Sequence, residues 1–265
     1  MRTARIAAVA FGGAMLMAVF PSAFRATPAP TSSLSKDLPA EEAASPAIDP
    51  AELAGNAALR VRDAANLAMD RKNLKQIAIA VHNYAGTYNS ALVADIAGED
   101  GKRLLSWRVV LLPYLEEINL YEQFKLDEPW DSKHNLALLE KMPKVFASPR
   151  VTLKRKGYTV YQVFSGPGAL FESGKSKYNI GNIPDGSSNT ILVVESSQAV
   201  PWTKPADIAY DKDKDLPDFG KAFGGKPLAV LGDGSGRVLD LKKISTATLR
   251  NAICPDDGIP LGADW

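Results

Sequence analysis

The sequence contains a single cysteine, Cys254, and only two histidines, His82 and His134. One cysteine cannot form an intramolecular disulfide, and it cannot supply a CxxC redox pair or a cysteine-based zinc site. A Ser-His or Cys-His catalytic system would have to use one of the two histidines. His82 borders an apolar helical stripe and His134 falls in the first turn of a predicted helix, so we predict no catalytic residue at either position.

The chain also lacks an excess of charge of either sign, because 31 Lys and Arg residues stand against 30 Asp and Glu residues. The longest basic run is the trio Lys154, Arg155 and Lys156, and such a trio is usually a solvated loop. A nucleic-acid-binding protein would carry a basic patch or stripe. We therefore expect no nucleic acid among the partners.

No apolar run is long enough for a stable membrane span. The run from Ile6 to Phe20 (IAAVAFGGAMLMAVF) has 15 residues, which make about 22 Å of helix against a hydrocarbon core of roughly 30 Å. It follows the basic stretch MRTAR, so residues 1–26 are predicted to be an export signal of a periplasmic or extracellular protein. The alternative is an uncleaved segment that anchors the protein to the inner membrane, because Pro21 stands where a cleavage site prefers a small side chain.

Residues 27–48 are rich in Pro, Ala and Ser and have no apolar period, which predicts a flexible linker. Asp49 as N-cap and Pro50 at the first helical position then predict a helix start. The helix should run to about Ala85 and stop at Gly86. It carries an apolar stripe that consists of Leu67, Leu74, Ile77, Val81 and Tyr84. Such a stripe must be buried, most simply against a sheet. Residues 49–265 are predicted to form a single domain.

Later in the chain the pattern of apolar residues becomes typical of β-strands. Residues 158–164 (YTVYQVF) and 190–195 (TILVVE) are apolar and rich in β-branched or aromatic side chains, and residues 227–241 predict a hairpin that turns at Asp233 and Gly234. A long helix followed by antiparallel strands predicts an α+β fold with the helix packed on the sheet.

Short helices are predicted between and after these elements. Ser106 is expected to cap a helix that Pro113 interrupts, and Ser245 is expected to cap a last helix that ends near Ile253.

The stretch LDEPWDSKHN, residues 126–135, crowds Asp127, Glu128 and Asp131 together with a histidine. These three acids are the candidates for a calcium-like site, but a metal cage needs ligands from more directions than one short stretch supplies. The structural interpretation is a turn before the helical pattern HNLALLEKM, with Asp131 or Ser132 at the helix start. We expect Asp131 to be the N-cap and Trp130 to be a hydrophobic staple, and we predict no bound metal.

Glycine-rich segments do not form a nucleotide fingerprint. IPDGSSNT lacks both the GxSxG elbow and the GxxxxGK[ST] loop, so Asp185 and Gly186 are predicted to form an ordinary turn. GPG at residues 166–168 is too short for dinucleotide binding. We predict no cofactor.

Several segments, taken in order, resemble a known bacterial secreted family. They are NLKQIAIAVHNY (73–84), LSWRVVLLPYLEEINLYEQFKLDEPWDSKHN (105–135), KMPKVFASP, VFSGPGALFE, IPDGSSNTILVVES, AVPWTKPADI and DGSGRVLDL. The family is called domain of unknown function 1559, and the likeness covers about residues 60–265. The resemblance implies export and a type II pseudopilin-like fold, in which an N-terminal helix lies on an antiparallel sheet.

The sequence departs from the family pattern in two places. The family's C-terminal feature is a His, nine intervening residues and then Asp-Gly; here Asp233 and Gly234 are present, but Phe223 occupies the His position. The N-terminus lacks the prepilin pattern, and a Pro-rich linker separates the apolar run from the helix that begins at Pro50.

Three hypotheses about function follow. The first is a non-enzymatic, exported, pseudopilin-like protein of the cell envelope that acts through contacts with other envelope proteins. The second is a solute- or glycan-binding module that uses Trp130, Trp202 and the polar loops around them. The third is a hydrolase that uses Asp127, Glu128 or Glu195.

Overall fold

The computed structural model of this chain describes residues 50–172 and 176–265, with side chains from residue 58 onward. The predicted export signal, the predicted linker and the Asp49 cap lie outside the described residues. The first described element is helix α1 (Pro50–Thr87). Its predicted stripe is confirmed, because Leu74, Ile77 and Val81 are fully buried in the main core, and Leu67 and Tyr84 pack against that core.

Helix α1 passes through Gly86 and ends at Thr87, slightly later than predicted. The backbone reverses at Asn89 and Ser90, which have φ angles of 51° and 65°. The Ser90 N–H donates to the Ala85 carbonyl at 2.7 Å and satisfies one of the last helical acceptors. Asn tolerates this left-handed conformation better than most residues, and the stop therefore falls beyond the glycine.

Four antiparallel strands form the main sheet. They are β3 (Tyr158–Gln162), β5 (Ile191–Pro201), β7 (Leu228–Leu231) and β8 (Gly236–Val238), in the order β3-β5-β7-β8. Tyr161 pairs with Glu195 across β3 and β5, and Val194 pairs with Ala229 across β5 and β7. The predicted hairpin is β7–β8, and Gly234 in its turn has a φ of 83°.

Smaller elements connect α1 to the sheet and surround it. The remaining strands are β1 (Ile96–Ala97) and β2 (Arg103–Leu105), which pair antiparallel, and β4 (Phe164–Ser165) and β6 (Ile208–Ala209), which pair in parallel. The other helices are α2 (Trp107–Val110), α3 (Ile118–Tyr121), α4 (Lys133–Leu136) and α5 (Thr246–Ile253), with 3₁₀ turns at Leu112–Leu115, Leu139–Lys141, Lys144–Phe146 and Lys221–Phe223. Ser106 caps α2 and Ser245 caps α5, as predicted.

The sheet is buried on both faces because successive side chains of a strand point to opposite sides. On β7, Leu228 and Val230 belong to the larger core with α1, and Ala229 and Leu231 belong to a second core. The second core contains the apolar face of α5. The chain therefore has an α+β fold in which α1 covers one face of the antiparallel sheet and α5 covers the other. In the described part of the chain, no helix combines the length and the apolarity needed to cross a membrane.

Candidate functional site

A buried ionic cluster lies where α1 meets the sheet. It consists of Asp70 from α1, Arg150 from the segment before β3, and Glu195 from β5. Both carboxylate side chains are fully buried, whereas the Arg150 side chain is 18% exposed. Charged groups are rarely buried unless they are paired, so this cluster is the strongest candidate site in the described residues.

The guanidinium of Arg150 contacts both acids. Its Nη1–H donates to Oε2 of Glu195, and its Nε lies 3.9 Å from Oδ2 of Asp70. Its Nη2–H donates to the Lys226 carbonyl at 3.2 Å. The ring of Phe223 packs on the guanidinium, with 4.9 Å from Cζ of Arg150 to the ring centroid. Arg150 therefore connects the helix, the central strand β5 and the segment that leads into β7.

Asp70 has further donors that fix α1 on the sheet. The Tyr161 hydroxyl donates to its Oδ1, and the Ser148 hydroxyl donates to its Oδ2 at 3.1 Å. Asn73, one helical turn later, donates to the Tyr161 hydroxyl at 3.3 Å and to the Ala147 carbonyl at 3.0 Å. Burial, followed by the Asp70 charge, raises the pKa of Tyr161, so this phenol stays protonated and remains a donor.

Glu195 has an asymmetric environment. Its Oε2 accepts from Arg150 and from the Leu228 N–H at 2.7 Å, whereas its buried Oε1 has no hydrogen-bond partner among the described residues. Burial raises the pKa of Glu195 to about 8, even though the Leu228 N–H and Arg150 both lower it; the neighbouring Asp70 raises it further. With one cation and two carboxyl groups, the cluster is electrically neutral when Glu195 holds its proton.

A cavity of about 350 Å³ opens beside Arg150. It is lined by one face of α1, from Asp63 to Leu67, and by Ala222, Phe223 and Arg150. The ring of Phe223 forms part of the wall of this cavity. The exposed edge of Arg150 is the cationic group through which the cavity could hold a ligand.

The predicted acids of LDEPWDSKHN do not join this cluster. Asp127 and Asp131 are exposed, and Glu128 pairs with Lys125 at 2.8 Å. Among the residues that the structure describes, no three His, Cys, Asp or Glu side chains are arranged to hold a metal ion. In the described part of the chain, none of these three acids forms a hydrogen bond or an ion pair with the partners of Glu195, the other residue of the hydrolase hypothesis.

The prediction that Asp131 caps the following helix is wrong. The N-cap of α4 is Ser132, whose Oγ accepts from the Asn135 N–H at 3.1 Å. The buried amide of Asn135 in turn donates to the carbonyls of Lys125, Glu128 and Pro129 and accepts from the Lys125 N–H. These bonds of the Asn135 amide fix the conformation of the turn. In this conformation Ser132, and not Asp131, is the residue that immediately precedes the helix.

The tryptophans do not form a shared exposed platform in the described structure. Trp202 is fully buried, and its Nε1–H donates to the Leu139 carbonyl at 3.0 Å. Trp130 is half-buried against the larger core, and Nζ of Lys204 lies 5.3 Å from its ring centroid. The glycan hypothesis therefore cannot use Trp202.

The other predicted structural residues lie in turns. The Gly186 N–H donates to the Ile183 carbonyl at 2.9 Å, and Gly186 has a φ of 94°. Asp185 in this turn also accepts from a distant segment, through the N–H groups of Asp257 and Gly258 at 2.8 and 3.0 Å. Asp233 accepts the Ser235 N–H at 2.8 Å within the β7–β8 turn.

Both histidines bond to backbone carbonyls. Nε2 of His82 lies 2.9 Å from the Gly232 oxygen, and Nε2 of His134 lies 2.7 Å from the Gln123 oxygen.

Sequence reasoning missed Asp70 and Arg150 and also a second buried ion pair. Arg108 and Asp207 lie 2.6 Å apart with almost no exposure, and Arg108 also donates to the Tyr161 carbonyl. Asp70 did leave a signal, because it occupies a position of the buried stripe, four residues before Leu74. A charged residue at a core position of a helical period indicates a buried partner.

Fold and site together define an α+β protein in which a buried Asp-Arg-Glu cluster fixes a long helix on an antiparallel sheet. Residues 61–168 match the family model described as Protein of unknown function (DUF1559). This match confirms, over that part of the chain, the resemblance indicated by the sequence motifs. No curated protein and no solved structure matches the chain.

Proposed function

We propose that the protein is an exported, non-enzymatic, pseudopilin-like protein of the cell envelope that acts through contacts with other envelope proteins. The observation that carries the proposal is the exposure of α1 ahead of the part that lies on the core. Residues 58–65 are exposed on every side of the helix, and Leu59 and Val61 are 58% and 71% exposed. Exposed apolar side chains on an extended element favour binding to another protein.

The ionic cluster supports this proposal because of its position. Among the residues of α1 whose side chains are described, from residue 58 onward, Asp70 is the first that is fully buried, so Arg150 and Tyr161 hold the helix close to the place where it leaves the core. A short isolated helix is only marginally stable in water. The exposed segment is therefore stabilised by its continuity with the anchored part of α1, which gives a partner a rigid surface to bind.

The same contacts favour a structural role over hydrolysis. Glu195 is fully buried and is held by Arg150 and the Leu228 N–H, while Asp127 and Glu128 belong to a different and more exposed part of the surface. A general acid or base must reach its substrate within hydrogen-bond distance.

Site-specific photocrosslinking in cells tests the proposal. The full chain is produced with a photoreactive residue in place of Val61 or, as the control, in place of Lys72, which is exposed on the part of α1 that lies on the core. We expect the protein outside the cytoplasm, with discrete adducts from position 61 that position 72 does not give and that Leu59→Asp removes. Retention in the cytoplasm, equal labelling at both positions, or a hydrolytic turnover lost in Glu195→Gln would contradict the proposal.

A further inference from the structure

Strand β8 is an outer edge of the main sheet, because β7 is its one neighbour in the described structure. The Ser235 carbonyl accepts from β7, and the Leu239 N–H donates to the residue before β7, each at 2.9 Å. Along an antiparallel pair, residues that bond the neighbouring strand alternate with residues that do not. Arg237 therefore bonds inward, whereas the N–H and carbonyl groups of Gly236 and Val238 point away from the sheet.

The outward side of β8 is accessible. Gly236 is exposed and has no side chain to cover the backbone, and Val238 is half-buried. Nη1 of Arg71 donates to the Gly236 carbonyl at 3.4 Å. A hydrogen bond of this length is weak, so a better donor replaces it easily. An extended peptide can therefore add to this edge as a further strand, through main-chain hydrogen bonds.

A cavity of about 220 Å³ lies beside this edge, between α1 and the β7–β8 hairpin. Its floor is apolar and consists of the buried side chains of Leu74, Leu228 and Val230. Arg71 and Lys75 also line it, and these two exposed cations lie one helical turn apart on α1. Every second side chain of an added strand points to this face of the sheet. One such side chain can fill the cavity, and the next one along can reach a cation.

The charges beside this edge favour an acidic peptide. The lining of the cavity contains two cations and no acid. A larger cavity of about 480 Å³ adjoins it at Lys75 and is also lined by His82, Asn83 and Asp233. Asp233 is the only acid that lines either cavity, and its Oδ1 already accepts the Ser235 N–H at 2.8 Å. Opposite charges across an interface steer a partner and fix its register.

A second copy of the chain fits this edge less well than an acidic peptide. Symmetric pairing of two β8 edges would bring Arg71 and Lys75 of both copies to one seam. Arg237, on the other face of β8, would add a third cation from each copy; its Cζ lies 4.6 Å from the ring centroid of Trp265. Like charges that lie opposite each other on paired strands are destabilising.

We propose that the β8 edge binds an extended acidic segment of a partner protein as an additional strand. An apolar side chain of the segment fills the cavity, and acidic side chains at alternate positions pair with Arg71 and Lys75. The inference goes beyond the proposed contacts of Leu59 and Val61, because the two surfaces share no residue. The outcome of crosslinking at position 61 therefore does not decide it.

Fluorescence anisotropy of a labelled heptapeptide with blocked ends, Thr-Glu-Thr-Val-Thr-Glu-Thr, tests this inference with the full chain. In a strand its Glu, Val and Glu side chains point to one face. We expect binding, and we expect the double variant Arg71→Ala with Lys75→Ala to raise the Kd by roughly ten-fold, equivalent to about 1.4 kcal/mol. The matched control is Lys72→Ala, which should leave the Kd unchanged, because Lys72 is exposed on the same helix but about 100° around it from Arg71. A peptide with Lys in place of both Glu residues should bind more weakly.

Amide hydrogen exchange separates strand addition from simple attraction between charges. The bound peptide should slow exchange at the N–H groups of Gly236 and Val238, whereas the Arg237 N–H, which already faces β7, should change little. The proposal is overturned by the absence of binding, by a Kd that the double variant leaves unchanged, or by binding that protects neither edge amide. It is also overturned if phosphatidylglycerol vesicles bind in a manner that depends on Arg71 and Lys75 and the peptide does not, because the edge is then a lipid site. Both side chains are exposed, so the variants should stay folded, and their thermal unfolding checks this.

Discussion

Asp70 on α1 and Glu195 on β5 direct their buried carboxyl groups at the same guanidinium, that of Arg150. One cation cannot fully compensate two ionised acids in a water-excluded site, so the cluster favours a proton on one of them. Glu195 is the acid whose pKa is raised, to about 8. The attachment of α1 to the sheet is therefore coupled to pH.

The first prediction concerns stability between pH 6 and pH 9. The pKa of Glu195 is about 8 in the folded protein against an ordinary value of 4.5, so the folded state holds the proton more tightly than the unfolded state. The stabilisation is complete below pH 4.5 and is lost as the pH rises through 8, with a slope of at most about 1.4 kcal/mol per pH unit from this group. Denaturant unfolding across this range measures the slope.

Glu195→Gln is the matched variant for this measurement. The amide cannot ionise, but its oxygen can still accept from Arg150 or the Leu228 N–H, so the decline between pH 6 and pH 8 should become shallow. Burial, followed by the charge of Asp207, raises the pKa of Asp95 to about 6. The variant should therefore still lose stability as the pH rises toward 6. An unchanged slope above pH 6 would show that Glu195 is ionised throughout.

The second prediction is that Arg150→Ala destabilises the protein strongly. Removing one partner of a buried ion pair typically costs about 3–5 kcal/mol because it leaves an uncompensated charge. Arg150→Ala leaves two buried carboxyl groups without their cation. The loss in the free energy of unfolding should therefore be largest at high pH and smaller in acid. The double variant Arg150→Ala with Glu195→Gln should recover part of the stability. If the single variant loses less than about 1 kcal/mol, the cluster is not the anchor of α1.

The local elements of this fold were predictable, whereas the site was not. The stripe on α1, the Asp233-Gly234 hairpin and the Ser106 and Ser245 caps depend on residues close in sequence, and such patterns have a direct backbone cause. Tyr161 and Asp70 are 91 residues apart, and Arg150 and Glu195 are 45 apart. Only the packing of α1 on β3 and β5 brings these groups together.

The wrong cap shows a second limit of local reasoning. Asp131 and Ser132 are both good N-cap residues, and a one-residue shift separates the two alternatives. Asn135 decides between them, because its side chain must reach three carbonyls at once. This requirement is not encoded in the cap preference of either residue.

The third prediction therefore distinguishes these neighbouring residues. Ser132→Ala should reduce the free energy of unfolding by about 1 kcal/mol, because it removes the acceptor of the Asn135 N–H. Asp131→Ala should leave stability within about 0.5 kcal/mol, as is usual for an exposed side chain. Urea unfolding of both variants at one pH makes the comparison. A larger loss in Asp131→Ala would restore Asp131 as the cap.

The fourth prediction concerns calcium. We expect the same thermal unfolding temperature for the full chain in excess calcium and after chelation, because a ligand raises stability only when it binds the folded state. Glu128 is already paired with Lys125, while Asp127 and Asp131 are exposed and lack a third converging acid. Calcium requires six to eight oxygen ligands, which these side chains and their own backbone do not bring to one point. A calcium-dependent rise that Asp127→Asn or Asp131→Asn removes would instead identify LDEPWDSKHN as a metal site, and the turn closed by Asn135 would then be its scaffold.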